Sequence, residues 1–235
     1  AVAMDQALTA KILRIANSSV YNVGDPCASL EEAVLRVGFR EIYRLTGFAA
    51  TVQIVDHGLA LYRINAAQFR ENALLTALIM EELADHADLD RAAAYTVGLL
   101  RSIGKIALDR LAWAPGSERR YEPIADEPLA MWEISRVGMD NCEAAEIVMR
   151  EWLFPVSTIE AIRQHYAPAE SSRLSQLLNV AAGAAERCGH GWPGERCYWD
   201  ESPERCAMAG LTPHQVEDAM HLAYESFGPV RVAVG

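Results

Sequence analysis

A chain of 235 residues that is 51% hydrophobic and 23% charged has the balance of an ordinary globular protein, and at this length it can bury roughly 70% of the surface its unfolded form exposes. Its net charge of −11 works against nucleic acid, because DNA affinity comes largely from setting Lys and Arg against phosphates and releasing their counterions. No run approaches the roughly 20 consecutive apolar residues of a membrane span, no secretory leader is visible, and the five cysteines lack CxxC spacing, so a reducing, cytoplasmic location is expected.

The first apolar segment, residues 8–19, ends on Asn17, Ser18 and Ser19, whose short polar side chains suit a helix end or turn. Ser29 with Glu32 then forms a capping box, in which the first side chain caps a backbone N–H and the second reaches back, and Gly38 closes the helix it opens. Arg36, Arg40 and Arg44 recur every four residues and would share a face on one continuous helix. Gly38 interrupts that helix and Glu32 and Glu41 offer partners, so a solvated, paired face is expected over a dock for an acidic partner or a phosphate. Gly58 ends the next run.

Asn65 with Gln68 opens a helix over 66–86. Phe69, Ala73, Ala77 and Met80 or Ala84 make its apolar stripe, while Arg70, Glu71, Glu81 and Glu82 are expected outside. Residues 91 to about 111 are apolar over more of the circumference, which predicts a central helix with partners on several sides. Gly98 and Gly104 each cost about 1 kcal/mol relative to Ala inside a helix, so their presence there points to close approach of another backbone. Residues 114–126 are rich in charge and proline and read as an exposed loop. Pro128, Pro203 and Pro213 mark first turns.

Gly138 precedes a box of Asp140 with Glu143, Ser157 with Glu160 opens the segment that carries His165, and Thr212 with Gln215 opens the last helix. From Cys188 to about Ser202 runs an irregular stretch holding Trp192 and Trp199. Loop aromatics more often pin a loop than bind, but these two are where an exposed patch would lie. Cys188, Cys197 and Cys206 could be drawn with His190, His214 and His221 as a zinc site, but the spacing matches no established ligand pattern and simple thiols are expected. The signals together predict an all-α chain of about ten helices without strands, forming a single domain over 1–235.

The stretch Gly98-Leu99-Leu100-Arg101-Ser102-Ile103-Gly104 resembles the metal-binding helix of the HD phosphohydrolase superfamily, in which His and Asp stand where Arg101 and Ser102 stand here. More of the chain is similar to the HDOD domain, the HD-related output domain of bacterial signalling proteins. The likeness runs through the Asn17-Ser18 end of the first segment, Ser29 to Gly38, Gly98 to Gly104, Glu133 with Gly138, and Glu151-Trp152-Leu153-Phe154-Pro155 leading to His165. It covers about residue 3 to about residue 225 and implies an HD-like helical bundle. The helices that precede the Leu8-Thr9-Ala10 segment in that family are expected to be lacking. Asn141 replaces a frequent His, and His165-Tyr166 replaces a frequent His pair.

The resemblance places Asn72, Arg101, Ser102 and Ala182 at the four positions where a hydrolase holds its ion. A guanidinium has no lone pair to donate to a cation and a neutral hydroxyl is a poor replacement for a carboxylate, so no metal and no cofactor is expected. The implied function is a non-enzymatic regulatory domain acting through contacts with signalling proteins. The alternatives are a metal-dependent phosphohydrolase with atypical ligands and a nucleotide- or anion-sensing module. If the old pocket survives, Asn72, Arg101, Ser102, Lys105 and His165 are its candidate lining, and Arg101 with Lys105, four residues apart, could hold an anion there. Taken alone, His165 reads as a structural hydrogen bonder.

Overall fold

In the computed structural model the described residues are 13, 16–17, 26–39, 42, 55, 57–112, 120–122, 127–170, 172–200 and 202–234. They form ten α-helices: α1 (Leu30–Val37), α2 (Ala66–His86), α3 (Arg91–Leu100), α4 (Ile103–Ala112), α5 (Leu129–Val137), α6 (Asn141–Glu151), α7 (Val156–Gln164), α8 (Arg173–Ala185), α9 (Pro203–Met208) and α10 (Pro213–Val234). The only extended pairing among them is an isolated bridge between Leu59 and Ile64. No helix of the described residues is long and apolar enough to cross a membrane.

The starts of these helices follow their side chains. Asn65 accepts from the Gln68 N–H while Gln68 returns a carbonyl to the Asn65 N–H, a reciprocal box repeated by Asp140 and Glu143. Thr212 and Gln215 do the same before α10. At α1 Ser29 caps Glu32, whose carboxylate reaches the N–H of Ala28. The expected box at Ser157 does not form: a cap there would start the helix at Thr158, whereas α7 starts two residues earlier, at Val156 after Pro155, and has no side-chain cap. Ser157 is therefore the second helical residue, past the position from which a side chain caps.

The core gathers around α2, which packs against α3, α8 and α10. With neighbours on several sides it buries Leu74, Leu75, Leu78 and Ile79 as well as the expected stripe. Glu81, expected outside, is buried too and lies near Arg91, which also reaches Glu82 and Asp85. Tyr121, in the stretch expected to be exposed, is buried. Its N–H donates to the Leu61 carbonyl at 2.6 Å and its ring meets Trp132 edge-on. A smaller cluster of Ala16, Cys27, Ala33 and Ile42 lies beside α1. Asn17 ties it together, accepting from the Cys27 N–H and donating to the Cys27 carbonyl. Ser18, Ser19, Arg40 and Arg44 lie outside the described residues, and Arg36 is exposed on α1.

Two glycines set the spacing of the helices around the site. A Cβ on Gly98 would lie 2.7 Å from the Cα of Ala77, and one on Gly104 would lie 1.7 Å from the carbonyl oxygen of Asn141. Neither contact leaves room for a methyl group, so α3 lies directly on α2, and α4 directly on the start of α6.

Candidate functional site

The helix expected over 91–111 is broken. Residues 101 and 102 form a turn between α3 and α4, so Arg101 and Ser102 sit at a corner and Lys105 lies in the first turn of the next helix. All three side chains are buried. Burying a guanidinium and an ammonium so close together is costly unless an anion joins them. Glu195 supplies it. This carboxylate comes from the 188–203 loop and is completely buried. It accepts from Arg101 Nη1 at 2.7 Å, from Lys105 Nζ at 2.5 Å and from the Tyr166 hydroxyl at 2.6 Å.

Around this triad the remaining polar groups close a network. Arg101 donates its other terminal nitrogen to Asn72 Oδ1 at 2.9 Å, and Asn72 donates to the backbone carbonyl of His190. Lys105 also donates to the Tyr166 oxygen, which accepts from Asn141 as well. Glu133, buried on α5, accepts from the backbone and side-chain amides of Asn141 and from the Tyr62 hydroxyl. Its carboxylate therefore faces the first N–H of α6, where the helix end favours negative charge. The Ser102 hydroxyl accepts from Trp192 Nε1 at 3.0 Å.

The loop that carries Glu195 is held at several points. Trp192 is buried and stacks on Phe69, with ring centroids 5.7 Å apart. Gly194 has φ +79°, and a Cβ on it would strike the Tyr121 hydroxyl. The Gly194 carbonyl accepts from the Leu129 N–H, and the Tyr198 hydroxyl accepts from the Ala130 N–H. Of the two tryptophans expected to mark a patch, Trp192 pins the loop. Trp199 is half-buried, under the Arg101 guanidinium and beside His165.

The charges behave as this geometry requires. Burial pushes the Glu195 carboxyl up, but Arg101 and Lys105 and the hydrogen bonds they and Tyr166 supply outweigh it and hold it at about 2. Burial, then the Glu195 charge, raises the Tyr166 hydroxyl well above its ordinary value. Burial raises Glu133 against the pull of Lys105.

His165 ends α7. Burial, reinforced by Arg101, lowers its imidazole to about 3, so it is neutral. Its Nδ1–H donates to the Ile162 carbonyl at 2.7 Å, which makes Nε2 the lone-pair nitrogen, and that atom has no partner among the described residues.

The structure thus brings Asn72, Arg101, Ser102 and Lys105 together in one buried site and sets His165 at its edge, tilted against Tyr166 and stacked on Trp199. Ala182 is buried on α8 and offers no polar atom. The cysteines from which a zinc site could be drawn do not converge: Cys206 is buried on α9, Cys197 is exposed, and no group of three metal-ligating side chains forms among the described residues. Sequence reasoning missed Glu195. The available signal was arithmetic: two cations assigned to a buried pocket need an acid, and Glu195 lies in the one loop rich enough in aromatics and glycine to be tucked inward.

The HDOD domain family profile matches residues 1–168. No curated protein matches the sequence. An HDOD domain protein of unknown function from Geobacter sulfurreducens has a solved structure similar to this one at 18% identity and a TM-score of 0.70, covering 99% of this chain and 83% of its own. A protein from Marinobacter aquaeolei VT8, described provisionally as a signal transduction protein, is similar at 20% identity and a TM-score of 0.78, over 100% of this chain and 53% of its own. One from Shewanella amazonensis SB2B, described provisionally as a phosphohydrolase, is similar at 23% identity and a TM-score of 0.70, over 99% of this chain and 84% of its own. At these identities the likeness is one of fold.

Proposed function

The chain belongs to the HDOD domain family, and on that premise we propose that it is a bacterial signal-transduction domain that acts by protein contact and turns over no phosphoester. The observation that supports this reading is the buried Arg101–Glu195–Lys105 triad. Metal-assisted hydrolysis needs an ion that lowers the pKa of a bound water and neutralises charge on the phosphate. At the corner where the HD fold would hold that ion stand two fixed cations, which repel a divalent metal. The carboxylate that ion-pairs with them, Glu195, is already bound to both.

The same geometry weighs against an anion or nucleotide sensor. A phosphate entering this place would have to displace Glu195 from two charge-assisted hydrogen bonds and a tyrosine. The internal carboxylate is the anion that Arg101 and Lys105 hold.

The test is metal analysis of protein purified without chelators, with a phosphodiesterase assay on bis(p-nitrophenyl) phosphate in manganese. The expected result is substoichiometric metal and turnover no faster than buffer. Turnover that vanishes on chelation would contradict the proposal.

A further inference from the structure

The end of α6 leaves four large apolar side chains in water: Ile147 is 54% exposed, Trp152 53%, Leu153 89% and Val156 61%. They fall within ten residues of the chain at the turn from α6 to α7, with exposed Glu151 one turn from Ile147 on α6 and exposed Glu160 one turn from Val156 on α7. The turn between these helices is tightly defined. The Leu153 N–H donates to the Arg150 carbonyl and the Phe154 N–H to the Met149 carbonyl, both at 3.0 Å. This is the double hydrogen bond of a Schellman close, whose left-handed residue is ordinarily glycine.

Here that residue is leucine. Leu153 has φ +57°, a conformation that crowds any Cβ, whereas Gly138, Gly210 and Asp88 take the left-handed residue after α5, α9 and α2. Backbone preference favours glycine or asparagine at position 153. Burial offers nothing in return, since the side chain is almost fully solvated. Neither the fold nor the buried triad accounts for a leucine there, and contact with another molecule does.

Charge states which kind of molecule. Glu151 and Glu160 are exposed beside these apolar side chains, the neighbouring exposed Arg150 is paired with Glu146, and the chain carries a net charge of −11. A second copy would bring these carboxylates against their own kind, which like-charge repulsion disfavours. We propose that the exposed Ile147–Val156 segment is the docking surface for a basic segment of a partner protein, anchored by apolar side chains on Leu153 and Trp152 and flanked by lysine or arginine facing Glu151 and Glu160. This rests on the reading of the chain as a contact domain, but the two fail separately. Turnover in the hydrolase assay bears on that reading alone, and the binding measurement below bears on the docking surface.

The experiment is fluorescence anisotropy with the full chain and a fluorescein-labelled amphipathic peptide of leucine and lysine. Matched peptides carry serine for leucine, or glutamate for lysine. The leucine–lysine peptide is expected to bind, and Leu153→Gly is expected to weaken it about tenfold, as loss of one buried leucine contact would. The Glu151→Lys, Glu160→Lys double variant should weaken it similarly. Leu153→Gly also relieves the backbone, so its melting temperature should equal or exceed that of the parent and a folding defect cannot mimic the loss. Equal binding to Leu153→Gly, or equal binding of the serine–lysine peptide, would overturn the proposal. So would a dimer in sedimentation equilibrium that Leu153→Gly dissociates, since the occupant would then be a second copy.

Discussion

Glu195→Ala removes the carboxylate between Arg101 and Lys105 and leaves both cations in a site where neither is more than 2% exposed. Neither cation then keeps a counter-charge, and a buried charge without a partner is costly. Breaking a buried pair by deleting one partner typically costs about 3–5 kcal/mol, and total domain stabilities are about 5–15 kcal/mol. The expected loss is thus a large share of the whole. Urea denaturation followed by tryptophan fluorescence reads it as a lower midpoint at unchanged slope. Replacing all three members with apolar residues (Arg101→Met, Lys105→Met, Glu195→Leu) should restore most of it, because a buried ion triad is often no more stabilising than a packed apolar one. Acetate or formate, able to occupy the space left by the carboxylate, should raise the midpoint of Glu195→Ala and leave the parent unchanged. A loss below about 1 kcal/mol, the range of solvated surface pairs, would refute the reasoning.

Two of the remaining predictions concern buried titrating groups. His165 takes up its proton at about 3 in the folded chain, against the ordinary imidazole value of 6.5, so below pH 6.5 the unfolded chain binds a proton that the folded chain refuses. Stability falls as pH drops through that window, by about 2 kcal/mol at pH 5, and His165→Gln should flatten the pH 6.5–5 slope in urea titrations; an unchanged slope would refute it. Glu195 has the depressed value of about 2, so its contribution is present above about 4.5 and is lost as pH falls toward 2, a segment that Glu195→Gln should remove. Gly104→Ala would place a Cβ 1.7 Å from the Asn141 carbonyl oxygen and should lower stability by about 1–3 kcal/mol or more, read as a lower melting temperature by circular dichroism; an unchanged value would show that α4 and α6 are not in backbone contact.

What the sequence made legible was local. The Asn65 and Asp140 boxes were written in adjacent side chains, and Gly98 and Gly104 announced backbone contact because a glycine inside a helix has little other reason to be there. What it hid was set by tertiary partners. Hydrophobic periodicity finds one buried face, so it could not place Glu81 inside a helix that is covered on several sides. The turn at Arg101–Ser102 carries no proline or cap, so the sequence pattern predicts a continuous helix there. Glu195 lies 94 residues from Arg101 along the chain, and only the charge balance of the folded site links them. Trp152 and Leu153 are legible only as part of a family motif; their exposure and the left-handed turn at Leu153, which residue preference argues against, are not.

The central claim is that an internal carboxylate and two fixed cations occupy the corner where an HD hydrolase would hold its ion. Titrating Mn²⁺ into the protein while recording the free-ion electron paramagnetic resonance signal tests it most directly. The expected signal is identical to that in buffer alone. Disappearance of one equivalent of free Mn²⁺, restored by substituting Glu195, would contradict it.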